Sequence, residues 1–259
     1  MNISGLRMMK AWQLGVVICL WWGHCGMKGA ESALLPSREL DVIATGETGF
    51  RIRPASETGI DFENTLTEIE AARNRVLLNG SGVALGDFDD DGWVDIYLCG
   101  LSSGNRLYRN LGGWRFADVT DGAGVSCAGT YCRGATMADV DGDGALDLLV
   151  TTVGEGTRFF RNQGDGKFAE MTDQAGLRST FGSSTLALAD VDGNGTLDLY
   201  VSNYRSEDIR DQGRVNLGSR NGQLVVPDQF KRRLFLVGGQ LHEYGEPDQL
   251  FLNDGAGRF

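Results

Sequence analysis

Three near-copies of one acidic turn constrain this chain more than any other feature. They run Asp87-Phe-Asp-Asp-Asp-Gly-Trp-Val-Asp95, Asp139-Val-Asp-Gly-Asp-Gly-Ala-Leu-Asp147 and Asp190-Val-Asp-Gly-Asn-Gly-Thr-Leu-Asp198. Side chains bearing oxygen stand at positions 1, 3, 5 and 9 of each turn, and position 6 is always glycine. Calcium is bound by about six to eight oxygens, and the glycine permits the sharp bend that lets alternate side chains converge. The sequence therefore predicts about three calcium ions.

The candidate metal ligands occupy positions 1, 3, 5, 7 and 9 of the three turns. They are Asp87, Asp89, Asp91, Trp93 and Asp95; Asp139, Asp141, Asp143, Ala145 and Asp147; and Asp190, Asp192, Asn194, Thr196 and Asp198. A single such turn is explained by the preference of Asp and Gly for tight bends. Three turns with the same spacing crowd like charges together, which is unfavourable unless a cation lies among them. Asn194 bears on the affinity of the third site rather than on its existence.

The turns differ from an EF-hand in the residues that come after them. An EF-hand places a bidentate Glu at position 12 and lies between two helices. Here position 12 is Leu98, Val150 or Val201, within short runs rich in β-branched and aromatic residues. Such runs are typical of buried strands, so a carboxylate at position 9 is expected to close each site.

The similarity between copies extends beyond the turns, which recur at intervals of 52 and 51 residues. Segment 105–116 matches 157–168 and 248–259. The first two copies are followed by a second shared element, at 117–125 and 169–177, and 50–60 is a degenerate copy of that element. We predict four short strands in each unit, at about 116–120, 134–138, 147–152 and 158–162 in the second, where the acidic turn joins the second strand to the third. One small sheet cannot bury both of its faces alone, so the units must pack against one another around an axis. The prediction is an all-β chain, a β-propeller of four-stranded blades.

The predicted propeller segment covers residues 50–259. Its units are about 50–113, 114–165 and 166–256, giving about three blades and a remnant. Three units cannot close a ring, so we expect the remaining blades to come from missing sequence or from another chain.

These motifs resemble a known group of repeats. The acidic turn, preceded by Gly-Val-Ala-Leu-Gly86 and followed by Asp-Ile-Tyr-Leu98, looks like the FG-GAP or VCBS repeat. The added Leu-Tyr-Arg-Asn and Phe-Ala-Asp-Val-Thr patterns are similar to the cartilage-acidic-protein-like (ASPIC and UnbV) group. The resemblance implies a calcium-stabilised propeller, usually of seven blades, that serves as a secreted or cell-surface interaction module.

The N-terminal 49 residues predict export. Arg7 and Lys10 precede a 12-residue, mostly apolar segment, 11–22, which is short for a membrane span. Residues 1–30 are interpreted as a signal peptide and 31–49 as a linker, and lipidation at Cys25 remains an alternative to cleavage. We therefore predict a secreted or extracytoplasmic protein, with no membrane span, where disulfides persist.

Three cysteines lie beyond the predicted signal. Cys127 and Cys132 bracket four residues and are either a short disulfide or two unrelated small residues. Cys99 is expected to be a small packed residue.

An extra stretch of about 39 residues enlarges the third unit, at about 204–247. It contains Lys231-Arg-Arg233 and is the most basic part of a chain whose formal charge is -11. It is either a solvated surface excursion or a binding loop for an anionic glycan or protein. The acidic balance argues against nucleic acid as a partner.

Signals for catalysis are weak. His24 and His242 are the two histidines, and the chain has no His-Glu-x-x-His, Gly-x-Ser-x-Gly or phosphate-binding loop. His242-Glu-Tyr is the one local set with acid-base potential, and we name no catalytic residue. The favoured hypothesis is a non-enzymatic adhesion or interaction scaffold that binds an extracellular protein or glycan. The alternative is the propeller part of a secreted enzyme that degrades acidic polysaccharides.

Overall fold

The computed structural model describes residues 50–259. The predictions for the signal peptide, the linker and Cys25 lie outside these residues. Strands dominate the described part. They are β1 Val83–Gly86, β2 Asp95–Leu98, β3 Arg106–Asn110, β4 Phe116–Asp118, β5 Cys132–Ala138, β6 Asp147–Thr152, β7 Thr157–Asn162, β8 Phe168–Glu170, β9 Ser183–Ala189, β10 Asp198–Asn203, β11 Gly218–Arg220, β12 Gln223–Val225, β13 Leu234–Val237, β14 Gln240–Glu243 and β15 Gln249–Phe251.

The helices are short and connect or flank the sheets. They are α1 Ala55–Thr58, α2 Glu68–Arg73 and α3 Thr120–Ala123, with 3₁₀ turns at Arg75–Asn79, Ile209–Gln212 and Asp228–Phe230. Helix α2 begins with a capping box in which the Thr67 side chain and Glu70 satisfy each other's backbone N–H groups. Within residues 50–259, none of the helices has the length and apolar character that a membrane crossing requires.

Three antiparallel sheets form the body of the described chain. The first sheet contains β1-β2-β3-β4 in that order, the second contains β5-β6-β7-β8, and the third contains β15-β10-β9. The fold class is therefore all-β, as predicted. Two further hairpins, β11-β12 and β13-β14, lie in the insertion.

The predicted strands are present, but their grouping into sheets is wrong. The strand at Phe116–Asp118 pairs with β3 and completes the first sheet, whereas the prediction gave it to the unit at 114–165. A tight turn in which Leu111 N donates to Arg115 O folds it back onto β3. Each acidic turn consequently joins the first two strands of its sheet, not the second and third.

The sheets stack face to face through the same positions at each step. Tyr97 and Leu107 of the first sheet pack on Leu148 and Val150 of the second. The residue between them, Leu149, points to the opposite face of the second sheet.

The second step repeats the first. Leu149 and Phe159, which correspond in the repeat to Tyr97 and Leu107, pack on Leu199 and Val201 of the third sheet. All of these side chains are at most 1% exposed. The three sheets therefore form a one-way stack in which each sheet uses one face for its predecessor and the other for its successor.

A repeated backbone contact supports the internal repeat, including the degenerate copy at 50–60. Gly59, Gly124 and Gly176 have φ between +77° and +80°, and a Cβ added to each would meet the carbonyl of Phe116, Phe168 or Phe259. The left-handed conformation favours glycine at all three positions, and at Gly59 and Gly176 the carbonyl also lies too close for a Cβ, at 2.5 and 3.0 Å. Three equivalent turns thus hold three equivalent phenylalanines.

Of the two alternatives for Cys127 and Cys132, the structure has two unbridged residues, and both are buried thiols. They lie in the core between the first and second sheets together with Cys99, and Tyr97 Oη is 3.8 Å from Cys127 Sγ. Burial raises the pKa of the Cys99 thiol to about 12, which suits the packed, unreactive residue that the sequence predicted.

Candidate metal centres

The position 9 aspartates anchor the three turns to their sheets. Asp95, Asp147 and Asp198 begin β2, β6 and β10, and each is at most 1% exposed. In every copy one carboxylate oxygen accepts the N–H of turn position 2, at 2.9–3.2 Å. The other accepts the backbone N–H of Asn110, Asn162 or Asn253, at the end of the next strand or just beyond it, at 2.7–2.9 Å. Each carboxylate therefore ties the start of its turn to two neighbouring strands.

The position 1 aspartates shape the turns themselves. Asp87 accepts N–H bonds from positions 5 and 6, and the 2.7 Å bond is the one from Gly92. Asp139 and Asp190 make the same pair of bonds in their turns. The position 6 glycines have φ between +88° and +91°, a conformation that disfavours other residues. The turn is therefore set by backbone bonds and glycine.

The folded turns bring three acidic positions together in each copy. Positions 1, 3 and 9 each offer an oxygen that lies within 4.8 Å of the other two, and the three groups are Asp87, Asp89 and Asp95; Asp139, Asp141 and Asp147; and Asp190, Asp192 and Asp198. Oxygens at this separation match the needs of a hard cation. Asp89 Oδ1 is moreover buried without a hydrogen-bond partner, as expected for an atom that would ligate an ion. The residues present fit calcium.

Positions 5 and 7 are used differently. Asp91, Asp143 and Asn194 each accept the N–H of the position 7 residue, at 2.8–2.9 Å. Those position 7 residues are Trp93, Ala145 and Thr196. Of the five predicted ligand positions, the structure thus gathers three around a common centre and links the other two to each other.

The surroundings of the position 9 carboxylates shift their pKa values. Burial raises the pKa of Asp95 and of Asp147 to about 6, against N–H bonds that act in the opposite direction. The pKa of Asp198 is instead lowered, because the backbone N–H groups of Asn253 and Val191 outweigh burial. The third sheet is the last in the described stack, so fewer protein atoms surround its turn. Bound calcium would keep all three carboxylates ionised.

Arginines approach two of the three turns. Arg109 lies on β3 with Nε 2.5 Å from Asp89 Oδ2 and Nη2 3.0 Å from Asp91 Oδ2. Arg161 occupies the equivalent place on β7, with Nε 2.9 Å from Asp141 Oδ2. The corresponding residue beside the third turn is Leu252.

Asparagines join the second and third turns to the turn of the preceding sheet. Asn162 Nδ2 donates to Leu146 O of its own turn at 3.0 Å and to Phe88 O of the first turn at 2.8 Å. Asn253 makes the equivalent bonds, to Leu197 O at 3.0 Å and to Val140 O at 2.7 Å. The turns are therefore coupled in series along the stack. The signal was available in the sequence as an asparagine that recurs at positions 110, 162 and 253, but its role depends on contacts between sheets.

Comparison with known proteins agrees with this repeated geometry. Residues 87–150 and 139–201 match the model of the FG-GAP-like repeat. The chain carries FG-GAP-like repeats. Both matched segments contain two of the acidic turns, so the family pattern coincides with the candidate metal centres.

The similar curated proteins share one name, Cartilage acidic protein 1. The protein from Mus musculus is 30% identical over 178 residues, and that from Homo sapiens is 28% identical over 178; each match covers 64% of this chain and 27% of the relative. The protein from Xenopus tropicalis is 26% identical over 140 residues, which is 52% of this chain and 22% of the relative. The resemblance to the cartilage-acidic-protein group is thus confirmed, while the chain spans about a quarter of the length of these relatives.

The insertion at 204–247 pairs much of its own charge. Arg233 contacts Glu207 and Glu243, Arg210 contacts Asp208, and Lys231 Nζ lies 2.6 Å from Asp228. The stretch contains seven basic and six acidic residues, so it is nearly neutral. It offers less free positive charge than its arginine-rich sequence indicated.

The His242-Glu-Tyr set has structural partners. His242 and Tyr244 both stack on Phe235, with ring centroids at 5.4 Å and 4.3 Å. Glu243 forms ion pairs with Arg205 and Arg233. The three side chains therefore contribute to the packing of the β13-β14 hairpin.

Proposed function

We propose that this chain is part of a calcium-stabilised β-propeller that serves as a non-enzymatic interaction scaffold outside the cytoplasm. The observation that carries the proposal is the convergence of positions 1, 3 and 9 in all three turns. Each convergent set includes a carboxylate that already ties two strands together. An ion bound there would cancel repulsion within the turn and strengthen the same tie.

The propeller architecture is supported by the stacking of the sheets. The Tyr97 face of one sheet meets the Leu148 face of the next, and the equivalent residues repeat this step between the second and third sheets. Repetition of one rotation and one contact is how propeller blades are arranged around an axis. Seven blades, the number typical of the resembling repeats, would require further sheets in addition to these three.

A scaffold is favoured over an enzyme by the roles of the titratable groups. The clustered carboxylates would be held ionised by metal, which makes them poor general acids. Glu243 of the His242 set is engaged in ion pairs. An extracellular protein or a glycan is the proposed ligand, in keeping with a repeat protein that presents large loops.

Thermal unfolding with and without calcium tests the proposal. If free calcium is about ten times the dissociation constant, each site adds roughly 1.4 kcal/mol to the free energy of unfolding. Three sites would add about 4 kcal/mol, which raises the melting temperature by about 8–16 °C for a chain of this size. Calorimetric titration should give three calcium ions per chain. Equal melting temperatures in calcium and in chelator would refute the metal's structural role.

A matched variant separates metal binding from the shape of the turn. Asp192→Asn changes position 3 of the third turn, where Leu252 stands in place of the arginine and the side chain accepts one backbone bond, from Asn194 N at 3.1 Å. We expect it to remove about a third of the calcium-dependent gain while melting close to the original chain in chelator. Magnesium at the same concentration is the control for general ionic effects, because it dehydrates reluctantly and prefers smaller cages.

A further inference from the structure

The two arginines beside the turns contact carboxylates that calcium would use. Arg109 approaches Asp89 and Asp91 at 2.5 and 3.0 Å, and Arg161 approaches Asp141 at 2.9 Å. Asp89 and Asp141 belong to the convergent ligand sets. Both arginine side chains are about half exposed, at 42% and 51%, so each has room to turn outward into solvent.

The third turn lacks both the aspartate at position 5 and the arginine. Position 5 is Asn194 in place of aspartate, and Leu252 stands where the other copies have arginine. The second turn combines four carboxylates with one guanidinium, and the third has three carboxylates alone. The second and third turns therefore reach the same net charge, -3, by different routes. In all three copies, arginine accompanies an aspartate at position 5 and is replaced where position 5 is asparagine, although Asp90 gives the first turn one further negative charge.

We infer that Arg109 and Arg161 are internal counter-cations that compete with calcium at the first and second turns, and that the third turn has no such competitor. The inference rests on the proposed calcium binding. A guanidinium can satisfy a carboxylate in the metal-free chain, which stabilises that state. It also repels a divalent ion bound nearby. Both effects act in the same direction, and both lower the affinity for calcium.

Removal of the competitor should tighten calcium binding. Arg109→Leu, which copies the residue type found at Leu252, is expected to raise the calcium affinity of the first turn by about 1.5- to fivefold, the scale of a partly exposed charge pair. The same change should lower stability in chelator, because Asp89 and Asp91 then face each other without a counter-charge. Arg109→Gln provides a second variant that retains hydrogen-bonding capacity should the leucine variant fold poorly.

The first turn can be observed separately from the others. Trp93 occupies its position 7 and shares a shallow apolar groove with Trp114, whereas Ala145 and Thr196 occupy position 7 elsewhere. Terbium, a hard cation that prefers oxygen ligands, can be excited through a nearby tryptophan. We would load the full chain with terbium, excite tryptophan, and follow the loss of luminescence as calcium displaces the probe. Loss of the signal in Trp93→Phe identifies the component that belongs to the first turn.

Two arginine variants serve as matched controls. Arg106→Leu removes a positive charge from the same strand, but its partner is Asp118 at 3.4 Å and not a turn residue. Arg161→Leu removes the competitor from the second turn. Neither should move the displacement curve of the first turn.

The outcomes distinguish the inference from the function on which it rests. A chain that shows no terbium signal displaced by calcium would refute the proposed function itself. Calcium displacement that is unchanged in Arg109→Leu would overturn the inference while leaving calcium binding intact. Weaker calcium binding in that variant would also overturn it, since it would make the arginine a residue that positions the ligands.

Discussion

Replacement of Asn162 by alanine should destabilise the stack far more than the same change at the equivalent Asn110. Asn162 is 2% exposed and makes three hydrogen bonds through its amide, two donated to Phe88 O and Leu146 O and one accepted from Gly164 N. At about 1 kcal/mol for each bond lost in a buried site, Asn162→Ala costs about 3 kcal/mol. Asn110 has only Val94 O and Gly112 N as partners and lies in a partly exposed place. Water can replace those bonds, so Asn110→Ala costs about 1 kcal/mol.

Urea denaturation in chelator measures both variants without a contribution from calcium. For a chain of this size, the expected losses correspond to falls in melting temperature of about 6–12 °C for Asn162→Ala and about 2–4 °C for Asn110→Ala. Unchanged slopes against urea would show that the unfolded state is not affected. If the two variants lost the same free energy, the bond from Asn162 to the preceding turn would carry no stability, and the coupling of turns in series would be wrong.

Two further predictions concern the core and the acid limb of stability. Leu149 is fully buried between the second and third sheets, so Leu149→Ala should lower the free energy of unfolding by about 2–5 kcal/mol. Leu85 is 61% exposed, so Leu85→Ala should change it by no more than about 0.5 kcal/mol. Similar urea midpoints for the two variants would contradict this packing. The Glu70 carboxylate accepts bonds from the backbone and hydroxyl of Thr67 and from the hydroxyls of Ser102 and Tyr131, and the Thr67 hydroxyl is the main reason that its pKa falls from 4.5 to about 2. A carboxyl group whose pKa is lower in the folded chain stabilises the fold at pH values above its unfolded pKa, and this stabilisation is lost as the pH falls toward the folded pKa. The difference in unfolding free energy between the original chain and Glu70→Gln should therefore be constant above pH 4.5 and shrink toward pH 2. A difference that grows in acid would contradict it.

The sequence located the strands well because each is a short apolar run bounded by glycines and acidic residues. The predicted segments 147–152 and 158–162 correspond to β6 and β7 almost residue for residue. The assignment of Phe116–Asp118 failed for a physical reason: a repeat can be divided at any point of its cycle, and only the turn at Leu111–Arg115 decides which neighbour the strand joins. That turn depends on the left-handed backbone conformation of two adjacent glycines, Gly112 and Gly113, which the sequence pattern alone does not reveal.

The site was predictable in its ligand types but not in its connections. Spacing of the aspartates predicted that positions 1, 3, 5 and 9 converge, and the structure gathers positions 1, 3 and 9. It did not show that Asp91 would bond to Trp93 N, or that Arg109 would reach the turn from another strand. Cys127 and Cys132 illustrate the same limit, because a short separation along the chain does not establish a bridge. Interactions that pass between strands or between sheets require the register, which the sequence leaves open.

The one-way packing of the sheets has a consequence for how such chains can change in length. Tyr200 and Leu250, on the far side of the third sheet, correspond to the buried pair Tyr97 and Leu107, and they are 44% and 55% exposed. They carry the same kind of surface that elsewhere receives a successor. Duplication or deletion of one whole unit would therefore bring compatible surfaces into contact without the invention of a new interface, so gene rearrangement can lengthen or shorten this architecture in single steps.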